Sequence, residues 1–202
     1  MRAYNSRMSI PLLGLDIGGA NLKAAHVDGT AQSVPFALWK HPEQLADQLM
    51  RLCAEMPPHR GIAVTMTGEL CDCFAGKREG VRTILQSVQQ AGCEAWIRVW
   101  TTLNRFFDLA EALKNPLEVA AANWLALAHY VGRLFPAETI LLIDTGSTTT
   151  DITYLKRGVP EPRGLTDLSR LTSGELVYTG VRRTAICAVL GLQVAAEFFA
   201  SM

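Results

Sequence analysis

The stretch LLGLDIGGANLKAAHVDG, Leu12 to Gly29, closes an apolar run with an acid, follows it with two adjacent glycines, and returns through a lysine to an Asp-Gly pair. A short apolar run bounded by glycines is the pattern of a buried strand, and Asp28-Gly29 is a hairpin signal. The stretch therefore predicts a strand over 12–17, a tight turn, a second strand over 22–27 and a third around 33–39. The same design returns 128 residues later in TILLIDTGSTTTDITYLKRG, Thr139 to Gly158, where Asp144 falls on Asp16, Gly146 on Gly18, Ser147 on Gly19 and Thr149 on Asn21. Two copies at long range predict two related lobes rather than a solenoid. The first lobe is placed at 1–135. The second begins at 136 and, with the chain numbered to 202, is expected to be truncated.

Between the copies, HPEQLADQLMRLCAEM carries apolar residues at one-sided helical spacing and is closed by Pro57-Pro58. Gly61–Met66 reads as a buried strand with TGELCDCFAGKREG as a loop at its C-terminal end. Val81–Ala91 reads as a helix closed by Gly92, with a strand over Trp96–Trp100. NPLEVAAANWLALAHYVGRLF opens on Asn115-Pro116 and is expected to run as one alanine-rich helix buried on several faces. Beyond the second copy, Ser173–Gly180 reads as a short strand and Val181 onward as an apolar helix. At 202 residues and 49% hydrophobic content the chain can bury a sizeable core.

The balance of charges excludes some classes of partner. Nineteen basic and nineteen acidic residues give zero formal charge, which argues against nucleic acid or an anionic membrane. No apolar run is long and uninterrupted enough to span a bilayer, and MRAYNSRMSIP lacks the apolar core of a signal peptide. Five cysteines, an odd number, fit reduced thiols and a cytoplasmic location. Cys71 and Cys73 are spaced for neither a zinc knuckle nor a dithiol pair, and with Cys187 and Trp124 they are expected to pack rather than react.

The repeated turn suggests a chemistry. A glycine turn exposes backbone N–H groups that can cradle an anion, and the hydroxyls of Ser147, Thr148, Thr149 and Thr150 add neutral donors. Asp16 and Asp144 cannot bind phosphate directly, but each can hold Mg²⁺ that bridges to it, while Lys23 supplies a positive charge. Gly18, Gly19, Asn21, Gly146, Ser147, Thr148 and Thr149 are then the phosphate donors. A lone DxGG or DTGS turn is weak, since aspartate also caps structural turns. An aspartic-protease pair would need two Asp-Thr-Gly copies, and the first copy is Asp16-Ile17-Gly18.

Taken together, GLDIGGANLKAA, TMTGELCDCFAGKREGV (Thr65–Val81), AAANWLA (Ala120–Ala126), LLIDTGSTTTDI and GLTDLSRLTSGELVYTGVRRT (Gly164–Thr184) resemble a known family. They look like the hydantoinase/oxoprolinase branch of the actin, sugar kinase and Hsp70 superfamily. Within it they are similar to proteins of tetrahydromethanopterin-linked one-carbon transfer, whose archaeal members are ether-forming synthases of methanofuran biosynthesis. The resemblance implies an α/β fold of two ribonuclease-H-like lobes around a phosphate-binding cleft, the second incomplete. It implies a Mg²⁺-dependent transferase in which the phenol oxygen of γ-glutamyltyramine displaces diphosphate from an aminomethylfuran methyl diphosphate. The ligand would be a small phosphorylated molecule, and a homodimer is compatible with apolar surface left uncovered.

The roles it implies are Asp16, Lys23 and Glu69 in catalysis, with Glu69 as base for the phenol. Thr67, Lys77 and Arg182 would contact substrate, and Asp16 and Asp144 the metal. Asp151 and Asp167 stand as further metal ligands or turn caps, and Arg182 and Arg183 as cations at a helix start. An ATP-dependent amidohydrolase or kinase, with ATP bound in the same turns, is the alternative. A non-catalytic phosphate-ligand-binding fragment is the other.

Overall fold

The computed structural model describes residues 10–92, 95–182 and 184. It divides into two compact units, Met1–Asn123 and Trp124–Met202. In the first, β1 (Leu12–Ile17), β2 (Asn21–His26) and β3 (Ala31–Pro35) form an antiparallel meander. Then α1 (Leu45–Glu55) leads to β4 (Gly61–Met66), and α2 (Lys77–Ala91) to β5 (Trp96–Trp100). Both β4 and β5 run parallel to β1, so the mixed sheet has the order β3-β2-β1-β4-β5 of a ribonuclease-H-like lobe. An edge strand, β6 (Phe106–Asp108), extends it.

Strand side chains alternate between faces, so β1 divides its residues by function. Leu13, Leu15 and Ile17 are buried on one face, in a core with Leu45, Leu49 and Leu52 of α1 and Val81, Ile84, Leu85 and Val88 of α2. The one-sided helical spacing supplies that match. Asp16 falls on the opposite face. There the register aligns Lys23 of β2, Asp16 of β1 and Thr65 of β4 in one row across three strands.

Several boundaries differ from the sequence expectation. The third strand ends at Pro35, short of the expected 39. Helix α2 starts at Lys77 rather than Val81, because the Glu79 carboxylate reaches back to accept from the Ala75 N–H at 2.9 Å. Unforeseen were β6 and α3 (Leu109–Lys114), the latter capped by Asp108 accepting from the Glu111 N–H at 2.8 Å. The expected single helix from Asn115 is two: α4 (Pro116–Val119) and α5 (Asn123–Leu134). Between them Ala121 sits at φ +48°, a left-handed conformation that no continuous helix allows.

The second unit contains α5, which the sequence reading placed in the first lobe. After it come β7 (Thr139–Thr145), β8 (Thr150–Lys156) and β9 (Val159–Pro160), then α6 (Asp167–Ser173) and β10 (Leu176–Val177). The strands form an antiparallel sheet in the order β10-β8-β7, with β9 on β8. Helix α6 was also missed, though Thr166 and Ser169 form a reciprocal capping pair. The face of β7 that carries Leu141 and Ile143 is open, at 61% and 58% exposure. These residues lie 128 positions after Leu13 and Leu15, which α1 and α2 cover. Among the described residues the second unit has no counterpart of those helices.

Val181 and Arg182 lie in a bend instead of a helix, and 185–202 of the expected terminal helix fall outside the described residues.

Helix α5 approaches the β8–β9 turn so closely that a Cβ on Gly132 would overlap the Gly158 carbonyl. Gly132→Ala should therefore cost about 1–3 kcal/mol in urea denaturation, the usual range for forcing a methyl into a packed contact. Unchanged stability would show that the helix and turn are not in contact.

Candidate functional site

Each acid-glycine turn is closed in the same way. In the first, the Gly18 N–H donates to the Asn21 carbonyl at 3.0 Å; in the second, the Gly146 N–H donates to the Thr149 carbonyl at 2.8 Å. The sequence repeat is thus a repeat of backbone geometry. A later segment ties down each turn. Leu38 and Phe36 donate their N–H groups to the carbonyls of Gly19 and Ala20, both at 3.0 Å. Val181 and Arg182 donate theirs to the carbonyls of Gly146 and Ser147, at 3.0 and 3.1 Å.

The side chains around the two acids differ. In the first unit the Lys23 ammonium lies 2.9 Å from Asp16 Oδ2, and the Thr65 hydroxyl donates to Oδ1 at 3.3 Å. The sequence reading set Lys23 against the anion; its first partner is Asp16. The residue 128 positions after Lys23 is Asp151, which the register places directly opposite Asp144. A lysine opposite an acid in one copy is an acid opposite an acid in the other. Among the described residues no protein donor reaches the Asp144 carboxylate, which lies half-buried.

Asp151 is held from below. Arg170 of α6, 2% exposed, donates from Nη1 to Asp151 Oδ1 at 2.7 Å and from Nη2 to the Glu175 carbonyl at 3.1 Å. Its guanidinium stacks over the Trp124 ring, 3.7 Å from the ring centre. Burial pushes the Asp151 carboxyl up, the Arg170 hydrogen bond and charge pull it back, and the charges of Asp144 and Asp167 push it up again. Glu175, itself buried, accepts from the backbone N–H groups of Arg163 and Gly164 and from the Ser173 hydroxyl. Neither Arg170 nor Glu175 was singled out from sequence. The signal for Arg170 was a cation in the short segment after the Thr166 cap, unreadable without knowing that Asp151 and Trp124 converge on it. Trp124 does pack, as expected. Asp167 is in the first turn of α6, and Thr166 holds the cap position.

Thr67 sits beside the first turn, its N–H donating to the Ile17 carbonyl at 3.0 Å. Glu69 lies in a 3-10 turn (Gly68–Leu70) and is 1% exposed, with the α2 backbone at Gly80 packed against it. Glu69 is therefore a buried acid and not a solvated one. Lys77 is half-buried in the first turn of α2. Arg182 is exposed, and its own backbone anchors it to Ser147 of the second turn. Arg183 and Cys187 lie outside the described residues.

Cys71 is half-buried, with its Sγ so near Gly19 that a Cβ there would meet it at 2.7 Å. Burial, then the charges of Cys73, Glu69 and Asp72, push its thiol up to about 11. Cys73 is exposed, and the two are free thiols. Among the described residues no group of three or more metal-ligating side chains comes together.

A ribonuclease-H-like sheet followed by a second hairpin with the same acid-glycine turn defines a class of α/β proteins built from two related units. Within that class the chain belongs to the hydantoinase/oxoprolinase family, whose sequence profile matches residues 60–193. It is 38% identical over 184 residues to the (4-{4-[2-(gamma-L-glutamylamino)ethyl]phenoxymethyl}furan-2-yl)methanamine synthase of Methanocaldococcus jannaschii. That match covers 89% of this chain but 53% of the relative, so the chain spans about half the relative's length. Among solved structures it resembles a ROK family protein from Streptococcus pneumoniae TIGR4, at 17% identity and TM-score 0.39, over 76% of this chain and 48% of that one. It also resembles an Aquifex aeolicus member of the Ppx/GppA family, at 13% identity and TM-score 0.40, over 75% and 49% of the two chains.

Thiolate, not thiol, is the nucleophile, so a Cys71 pKa of about 11 leaves about one molecule in a thousand reactive at pH 8. Iodoacetamide labelling of Cys71, read by peptide mass spectrometry, should trail that of Cys73 and rise about tenfold per unit between pH 8 and 10. A labelling rate that is flat across this range would contradict the environment described for Cys71.

Proposed function

We propose that the chain carries the phosphate-binding portion of an ether-forming transferase of methanofuran-type cofactor biosynthesis. In that reaction the phenol oxygen of γ-glutamyltyramine attacks the methylene carbon of an aminomethylfuran methyl diphosphate. The new C–O bond replaces the bond to diphosphate, and the phenol proton passes to a base. The observation that carries this reading is the 38% identity to the furan-methanamine synthase across 89% of this chain. The turns support it independently. Backbone N–H groups of a glycine turn can stabilise the negative charge that gathers on a departing diphosphate, where preorganised donors accelerate a reaction most.

A divalent cation such as Mg²⁺ fits the second turn better than the first. Asp144 has a carboxylate that no described protein donor occupies, whereas both oxygens of Asp16 already accept, from Lys23 and Thr65. Asp144 would hold the ion, through water or directly, and the ion would neutralise charge on the diphosphate. Lys23, with its ammonium exposed, can exchange part of its contact with Asp16 for a phosphate oxygen. Glu69 is the candidate base, and its burial suits a proton acceptor better than solvent exposure would. Thr67, Lys77 and Arg182 are the candidate substrate contacts.

The reading places the protein in the cytoplasm with small phosphorylated ligands. Among the described residues no helix is long and apolar enough to cross a membrane. The family profile over 60–193 favours one competing activity, an ATP-dependent amidohydrolase. It would show itself as ATP consumption that depends on a cyclic amide.

Diphosphate with Mg²⁺, at about a hundred times its Kd, should stabilise the chain by about 2.7 kcal/mol. At about 2–4 °C per kcal/mol this is a readable rise in Tm. Asp144→Asn should remove the share of the rise that needs Mg²⁺. No rise in the wild-type chain would overturn the phosphate reading. Failure of a folded, Mg²⁺-supplied, full-length protein carrying this chain to release diphosphate from the two substrates would overturn the transferase.

A further inference from the structure

The segment Thr179–Arg182 is a strap laid across the second turn, and we infer that Gly180 is a positioning residue that lets this strap aim the amides of the turn at the anion. The inference rests on the phosphate reading of that turn.

Four contacts fix the strap. The Thr150 hydroxyl donates to the Thr179 carbonyl at 2.7 Å, and Thr179 pairs with Thr184 in an isolated antiparallel bridge. The Val181 and Arg182 N–H groups donate to the carbonyls of Gly146 and Ser147. A trans peptide is planar and points its carbonyl and its N–H in opposite directions. Once the strap captures the Gly146 and Ser147 carbonyls, the N–H groups of Ser147 and Thr148 in those same peptides must face the other way. Among the described residues neither finds a protein acceptor. The strap thus occupies two carbonyls of the hydroxyl-rich turn and leaves two of its N–H groups as unpaired donors among the described residues.

Gly180 makes that capture possible. Its Cα lies against the Ser147–Thr148 peptide. A Cβ there would come within 2.5 Å of the Ser147 carbonyl carbon and 2.6 Å of its oxygen, and would also meet the Thr148 nitrogen. All three are backbone atoms that cannot swing aside, so any side chain at 180 must lift the strap or rotate the peptide. The same strap delivers Arg182, exposed and tethered by its N–H to Ser147, beside the donors it orients. The first turn reaches the same end differently, with Phe36 and Leu38 just after β3 acting as its strap.

The test measures diphosphate affinity calorimetrically for the whole chain and four variants, with amide exchange of 145–150 read alongside. Gly180→Ala and Val181→Pro, which removes the strap N–H, should each bind about tenfold more weakly, equivalent to about 1.4 kcal/mol. Exchange should rise across the turn in both. Gly174→Ala is the stability control: it strains the left-handed cap of α6 at φ +74° without touching the turn, and should bind as the wild type does. Where the strap variants fail to fold, Arg182→Gln, an exposed change, should still weaken binding by a similar factor. Folded strap variants with wild-type affinity and unchanged exchange would overturn the inference. Absence of binding in the wild-type chain would instead overturn the phosphate reading, and the inference with it.

Discussion

A planar peptide cannot turn its carbonyl and its N–H to the same side, and the phosphate chemistry proposed for this protein depends on that constraint. An isolated glycine turn samples many orientations, and an amide that samples them all is a poor anion donor. Here each turn has its carbonyls bonded from behind, by Phe36 and Leu38 in the first unit and by Val181 and Arg182 in the second. The entropic cost of fixing the donors is met during folding, before any ligand arrives. The strands, the packed core and the capped α6 hold the straps in place, so the geometry of a few amides integrates much of the fold.

What the sequence made legible was whatever depends on local pattern. The strand over Gly61–Met66, the one-sided helix closed by Pro57-Pro58 and the matched turns at Asp16 and Asp144 follow from period, breaker and repeat. What it hid depends on pairs distant in sequence. The split between α4 and α5 hinges on the backbone of Ala121, an alanine like its neighbours in one dimension. Arg170 looks like a surface cation until Trp124 and Asp151 close over it. The pairing of Lys23 with Asp16 depends on a cross-strand register that spacing alone did not show. Gly180 stands within Gly164–Thr184 as one glycine among several, yet its reason lies with Ser147 and Thr148 in space.

The buried Arg170 cluster shows how the second unit stabilises a hairpin with few helices around it. A cation in a low-dielectric interior is costly unless several partners share it, and here a carboxylate, a carbonyl and an indole face do so. The open face at Leu141 and Ile143 is the complement: where the first unit buries the corresponding leucines under two helices, the second leaves apolar surface exposed.

Lys23 and Asp151 occupy the same place in the two copies and carry opposite charge. One exchanged side chain is enough to make two matching turns chemically unequal. The two turns share a backbone while the residue facing each acid differs, one copy neutralising its own carboxylate and the other setting a second acid opposite it.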